Sequence, residues 1–372
     1  VETFRNAAQL GKPVVVHAKT RKGEGVPGVD QDGERFHGVQ PFDLHSGRPV
    51  PSEPAAPSFT EVFGETLCEL AHADPRVVAI TAAMPHGTGL DLFAQRFPGR
   101  FYDVGIAEQH AVTFAGGLAC EGFKPVCAVY STFLQRAFDQ VLHDICLQRL
   151  PVVFCMDRGG IVGADGPTHH GVYDLTYMRM IPNLALLAPR DEEELRHMLA
   201  SALQADQPVA LRWPRGPGIG AVATGPPTPL PWGRSELMRE GGDDLLLVAA
   251  GPLVFAALEA ADRLAAKGVG VTVINARFIK PLDEELLLSR IAASDALVTI
   301  EDNALCGGFG SALLELCEQR GLRPRVRRLG IPDRFIPHGR ASRLRAECGL
   351  DADGIVGAYH QLAKKGRLFS LA

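Results

Sequence analysis

"KPVCAVYSTFLQRAFDQVLHDICLQRLPVVFCMD", residues 124–157, holds two short apolar runs on either side of a longer segment of mixed character. The outer runs, 124–131 and 151–157, are rich in Val and nearly free of charge, as strands buried on both faces are. The segment between them, 132–148, repeats apolar residues at helical spacing and is long enough for a crossover helix. A strand–helix–strand unit of this kind predicts parallel neighbours in a sheet covered by helices.

The pattern extends in both directions. Upstream, Ser58 is an N-cap candidate with Glu61 three residues later and an amphipathic stretch to Ala73. "RVVAITAAM" (76–84) reads as a strand and 106–121 as a helix; downstream, 184–203 gives a strand, a turn at Pro189 and an acid-started helix. Residues 216–244 are the densest in Pro and Gly and predict a linker. Beyond it the alternation restarts with strands at 245–251, 269–277, 296–302 and 325–331. Near the start, the β-branched run "KPVVVHAKT" (12–20) fits a buried parallel strand, followed by loop and linker to residue 57. The expected architecture is α/β throughout: a strand-bearing remnant in 1–57, a parallel-sheet domain in 58–215, the linker, and a smaller α/β domain in 245–372.

Composition narrows the functional classes. The 372 residues are 46% hydrophobic and 22% charged with a net charge of −5, an ordinary globular balance that points to neither a nucleic-acid nor a membrane surface. Eight cysteines without a CxxC pair, mostly inside apolar runs, predict buried thiols in a reducing, cytoplasmic setting. There is no P-loop. "THH" (168–170) lacks a metal-spaced partner, so no metal ligands are assigned. "CGGFG" (306–310) opens a helix after a strand, and its glycines serve either an anion at the backbone N–H groups or close helix–strand packing.

The residues suited to chemistry follow the strands: "MPHGTGL" (84–90), "STFLQRAFDQ" (131–140), "RGGIVGADGPTHHG" (158–171) and "PRG" (214–216). Strand ends of open α/β sheets are where ligands bind. Glu108 stands out because it opens a helix of small apolar residues. Taken singly, each candidate has an ordinary reading. A Glu in a first helical turn complements the helix dipole. Arg158 and Arg215 suit surface ion pairs, and Tyr130 and Phe133 suit the edge of a core. Asp165 with His169 suits a turn cap beside an exposed histidine.

Taken together, "FYDVGIAEQHAVTFAGGLA", "YSTFLQRAFDQVLHDICLQRLPVVF", "DRGGIVGADGPTHHGVYDLTYMRMIPN" and "RWPRG" resemble the 1-deoxy-D-xylulose-5-phosphate synthases, transketolase-like enzymes dependent on thiamine diphosphate. The likeness runs on through "INARFIKPLD" and "EDNALCGGFGSALLE" and back to "AKTRKGEGV" and "FHGVQPFD". It implies a pyrimidine-binding domain at 58–215 and a transketolase C-terminal domain at 245–372, with 1–57 as the end of a diphosphate-binding domain. By residue match, Glu108 would hydrogen-bond N1′ of the cofactor's aminopyrimidine and favour its imino tautomer. That role asks for a dry carboxylate, whose pKa desolvation raises while the helix N-terminus opposes it. Phe133 would stack on the same ring, Met84 would support the bent cofactor, and Arg136 would lie close by.

Tyr130, Arg158, Asp165, His169 and Arg215 match the family's substrate side. The two guanidinium groups suit the phosphate of glyceraldehyde 3-phosphate. Asp165 and His169 would orient carbonyl and hydroxyl groups and move protons. His37 matches a histidine facing the reacting carbons, and Lys22 is a weaker candidate in the same region. The implied reaction condenses pyruvate with glyceraldehyde 3-phosphate, with loss of carbon dioxide, to 1-deoxy-D-xylulose 5-phosphate, which feeds isoprenoid, thiamine and pyridoxal synthesis.

One departure matters. The family's Gly-Asp-Gly motif with its downstream Asn, which holds Mg²⁺ and the diphosphate, has no match here. The expectation is therefore a chain that lacks most of the first domain, with that portion either accompanying it as a separate piece or removed by proteolysis or by design, and that forms a homodimer. A non-catalytic pyrimidine-domain module is the alternative from another class. Another 2-oxoacid-decarboxylating transketolase relative is the alternative among enzymes.

Overall fold

The computed structural model describes residues 1–20, 23–25, 42–46, 50, 56–221 and 225–369. The chain divides into two units, Val1–Ala55 and Ala56–Ala372. In the first, Glu2–Gln9 is a helix with no buried residue. Residues 13–20 carry no strand, and Val15 is fully in the open. This corrects the expectation of a strand at 12–20. β-branched residues favour a pleated surface only where a neighbouring strand takes up the backbone N–H and C=O groups, and none of the described residues does so here.

The second unit contains twelve strands among its described residues: β1 (Val77–Thr81), β2 (Phe101–Asp103), β3 (Lys124–Tyr130), β4 (Val153–Asp157), β5 (Ala185–Leu187), β6 (Val209–Arg212), β7 (Glu236–Arg239), β8 (Leu245–Ala249), β9 (Val271–Asn275), β10 (Phe278–Lys280), β11 (Leu297–Ala304) and β12 (Val326–Ile331). The larger sheet runs β10-β5-β6-β4-β3-β1-β2 and the smaller β12-β11-β8-β9-β7. Every pairing is parallel except at one edge of each sheet, where β10 lies antiparallel to β5 and β7 antiparallel to β9. The fold is thus transketolase-like α/β, with two sheets that are mostly parallel. β10 comes from beyond the Pro/Gly-rich linker yet completes the larger sheet.

Local signals explain the elements. The Ser58 hydroxyl accepts the Glu61 N–H while the Glu61 carboxylate accepts the Ser58 N–H, a reciprocal cap that starts the helix Phe59–Ala73. Asp191 caps Glu192–Gln204 by accepting the Glu194 N–H at 2.8 Å. β1, β4, β8 and β9 are buried along their whole length, as the unbroken apolar runs require. One core cluster joins Ile80, Val129 and Phe154 of the larger sheet to Leu246, Val248 and Ile274 of the smaller, so the two sheets share apolar packing.

The stretch expected as one helix over 132–148 has changing pitch. It passes from Ser131–Leu134 through a 3₁₀ turn at Gln135–Ala137 and a short α turn at Phe138–Gln140 into a π turn at Val141–Cys146. Leu134, Ala137, Val141 and Ile145 all stay in the core. The winding is pressed against the helix Glu108–Cys120, where a Cβ at Gly116 would come within 2.9 Å of Ile145 Cδ1. Of the cysteines, 68, 127, 146, 155 and 317 are buried as expected and Cys348 is half-buried, whereas Cys120 and Cys306 are exposed. Both exceptions sit at a helix end or turn, where the chain returns to the surface.

Candidate active site

In the larger sheet β2 and β3 lie on opposite sides of β1, so the chain reverses direction of travel at the β1–β3 pair. A crevice at the C-terminal ends of such a pair is the usual ligand site of an open parallel sheet. The C-terminal end of β3 and the segments that follow β1, β2, β3 and β4 carry Tyr130, Met84, Glu108, Phe133 and Arg158. Asp103 ties two of these loops together, its carboxylate accepting the N–H groups of Ala83 and Gly105 at 2.7 and 2.9 Å.

Glu108 is the first residue of the helix Glu108–Cys120 and only 2% exposed. No side chain caps this helix. Ala111, Ala115 and Ala119 on the same helix pack in the core, which explains why an acid opens an apolar segment: the helix carries it into a dry place. Arg136 Nη1 lies 2.8 Å from Glu108 Oε2, yet its direction is not that of a hydrogen bond, and Oε2 is a buried oxygen that accepts none. A buried carboxylate oxygen without a donor fits a ligand N–H.

The ends of β3 and β4 carry an aromatic rim. Tyr130 and Phe133 stack with centroids 5.7 Å apart, and Phe133 meets the His169 ring edge-on at 5.4 Å. The Arg158 guanidinium lies 3.7 Å above the Tyr130 ring and donates to the Gly87 carbonyl at 2.9 Å. Burial pushes the Tyr130 hydroxyl up, with the Arg158 charge opposing. Asp165 and Arg215 pair at 2.5 Å and both remain partly exposed. Thr168 Oγ1 lies 2.9 Å from His169 Nδ1. Met84 and Phe133 pack against the same core cluster. His37 and Lys22 lie outside the described residues.

The family description "Transketolase, pyrimidine binding domain" matches residues 55–218, and "Transketolase, C-terminal domain" matches 233–355. A 1-deoxy-D-xylulose-5-phosphate synthase of Geobacter sulfurreducens is 56% identical over 368 residues, covering 98% of this chain and 58% of its own length. One from Heliobacterium modesticaldum is 50% identical over 98% of this chain and 56% of its own length. The chain belongs to the transketolase family, and over nearly its whole length it is similar to 1-deoxy-D-xylulose-5-phosphate synthases. It spans somewhat more than half the length of these synthases. Among solved structures, a split-gene transketolase described as an inactive β4 tetramer superposes with a TM-score of 0.73 at 30% identity, covering 82% of this chain and 98% of that one. A Pichia stipitis transketolase variant shares the fold at a TM-score of 0.68 and 19% identity, over 85% of this chain and 47% of its own.

Several residues of this transketolase-family chain escaped sequence reasoning. Asp157, at the end of β4, is fully buried and touches Arg158 at 3.2 Å and the Thr60 hydroxyl at 2.6 Å. Asp174 accepts from Ser131 Oγ at 2.9 Å and Arg212 Nε at 3.1 Å, and Arg212 Nη2 donates to the Asp302 carbonyl at 2.9 Å. Asp302 also accepts the Ile161 N–H at 3.1 Å, which anchors the base of the 158–171 loop to the smaller sheet. His170 Nδ1 accepts the Val162 N–H at 3.0 Å, so its other nitrogen holds the proton and faces the Pro337 carbonyl at 3.3 Å. Only the exposed half of "THH" therefore looks onto the rim. The glycine-rich 306–310 turn does hold a carboxyl group, and it is internal: Glu301 accepts the N–H groups of Phe309 and Gly310 at 2.6 and 2.9 Å. Close packing is needed as well, since a Cβ at Gly308 would lie 2.1 Å from Glu301 Oε2.

Among the described residues there is no cluster of three or more His, Cys, Asp or Glu suited to a metal ion, and no helix long and apolar enough to cross a membrane.

Proposed function

We propose that this chain forms the pyrimidine-side half of a thiamine-diphosphate-dependent synthase that joins pyruvate and glyceraldehyde 3-phosphate, with loss of carbon dioxide, to give 1-deoxy-D-xylulose 5-phosphate. The observation that carries the reading is Glu108: a buried carboxylate whose Oε2 accepts no hydrogen bond, on the segment that follows β2 at the reversal point of the sheet. That oxygen fits a protonated ring nitrogen such as N1′ of the aminopyrimidine, and Phe133 fits the ring face. When bound, the cofactor supplies the carbon nucleophile and the electron sink that decarboxylation requires.

The rest of the reading concerns what the chain's own side chains do. Glu108 holds a proton at the aminopyrimidine, and the apolar helix beneath it keeps water away. Arg158 and Arg215 bind the phosphate of the aldehyde. Asp165 orients Arg215 and the substrate hydroxyls. His169, held against Phe133, moves a proton at the reacting carbonyl, and Tyr130 supports Arg158. By resemblance to the family alone, His37 is proposed as a further catalytic residue. Mg²⁺ and the diphosphate fall to a first domain of the kind present in the longer relatives. The split-gene transketolase neighbour, described as an inactive tetramer, supports the view that such a half needs its complement. A homodimer in the cytoplasm is the proposed working form.

Native mass spectrometry of the purified chain with its first-domain complement, thiamine diphosphate and Mg²⁺ tests this. Co-migration of both polypeptides with retained cofactor is expected. A chain that assembles with its complement yet retains no cofactor would favour the non-catalytic module.

A further inference from the structure

We infer that Asp157, backed by Thr60, is the positioning residue that aims the Arg158 guanidinium at the phosphate of the acceptor aldehyde; this rests on the function proposed above. In an extended strand, successive side chains point to opposite faces, so residues 157 and 158 should not meet. They do, because Arg158 takes a left-handed backbone (φ 62°) as the chain leaves β4. That conformation is unusual for a residue with a long side chain and persists only where the surroundings hold it.

The surroundings are specific. Asp157 Oδ1 accepts Arg158 Nη1 at 3.2 Å, and Oδ2 accepts the Thr60 hydroxyl at 2.6 Å from the first turn of the Phe59–Ala73 helix. The Gly87 carbonyl takes Nη1 from the β1 side at 2.9 Å, and the Tyr130 ring covers the guanidinium face. Gly87 has room for nothing larger, as a Cβ there would sit 2.0 Å from the Tyr130 hydroxyl. Arg158 is left 15% exposed. Among the described residues Nη1 alone of its nitrogens is hydrogen-bonded to protein, so the Nε–Nη2 edge is free for the paired oxygens of a phosphate.

A buried carboxylate beside this arginine also weakens its positive field. Charge alone would therefore favour its removal; geometry favours its retention. The function proposed for the site requires a preference for a phosphorylated aldehyde, and preorganisation supplies it through aim. Asp157 touches no proposed reacting atom, so it acts through Arg158.

The test uses the full assembled holoenzyme and compares glyceraldehyde 3-phosphate with unphosphorylated D-glyceraldehyde as acceptor. For D157N, an isosteric change that keeps an acceptor for Thr60, the loss in kcat/KM for the phosphorylated acceptor should exceed that for D-glyceraldehyde by about tenfold, mostly through KM. T60V should shift the ratio the same way by less. A ratio that is unchanged or rises in D157N, or equal losses for both acceptors, would overturn the inference alone. Wild-type enzyme that shows no preference for the phosphorylated aldehyde would overturn both the proposed function and the inference.

Discussion

The Glu108 carboxylate lies 2.8 Å from the Arg136 guanidinium, the acid almost wholly buried and the base 53% exposed. The pair is asymmetric: Arg136 is half in water, whereas Glu108 is held in the dry first turn of its helix. Arg136→Ala removes a half-exposed charge partner and no hydrogen bond, and should cost up to about 1 kcal/mol. Thermal melts should show this loss without thiamine diphosphate and a smaller loss at saturating cofactor, where a ring N–H takes the free oxygen. Equal losses in both states would separate Arg136 from the cofactor's place.

Glu301 offers a pH-dependent signature away from the rim. Burial raises its carboxyl to about 7, against the opposing pull of the Gly310 and Phe309 N–H groups and of Arg328 and Arg212. Its folded pKa exceeds its unfolded one, so its contribution to stability is full below the ordinary Glu range near 4.5 and is lost as pH rises through 7. Glu301→Gln lacks this titration. The melting temperature of wild type minus that of Glu301→Gln should therefore fall between pH 5 and pH 8, and a difference flat with pH would contradict the assignment.

The Asp174–Arg212 pair, buried at the junction of the two sheets, should behave as scaffold. Arg212→Met strands the Asp174 carboxylate and should destabilise by about 3–5 kcal/mol, read as a marked drop in melting temperature.

Asp165 and Arg215 form the contrasting case, since both are more than a third exposed. Asp165→Asn should change stability by less than about 1 kcal/mol yet raise KM for the phosphorylated aldehyde. Melting and steady-state kinetics on one preparation separate the two effects.

How much of this was legible in the sequence depended on how local the signal was. The buried strands β3 and β4 announced themselves as apolar runs, and Ser58–Glu61 as a cap, because each is encoded within a few residues. Glu108 was legible as an oddity and acquired a role only through resemblance. The 132–148 winding hid its changes of pitch because the same apolar positions serve an ordinary helix. β10 was invisible as part of the larger sheet, since its partner β5 lies some ninety residues away in the chain. The partnerships of Asp157 with Thr60, Arg212 with Asp302 and Glu301 with the 306–310 turn were equally hidden, being set by tertiary approach. The run at 12–20 misled for the converse reason: its composition suits a strand, but strand formation needs a neighbour.

The most direct test of the account is carbon dioxide release from pyruvate plus glyceraldehyde 3-phosphate by the assembled enzyme with thiamine diphosphate and Mg²⁺, compared with its Glu108→Ala variant. The account predicts robust release by the wild type and a loss of about 10²–10⁴-fold in the variant, with the assembly intact by native mass spectrometry. A variant that keeps wild-type release would show that the buried carboxylate at the head of the helix is not the acid on which the chemistry turns.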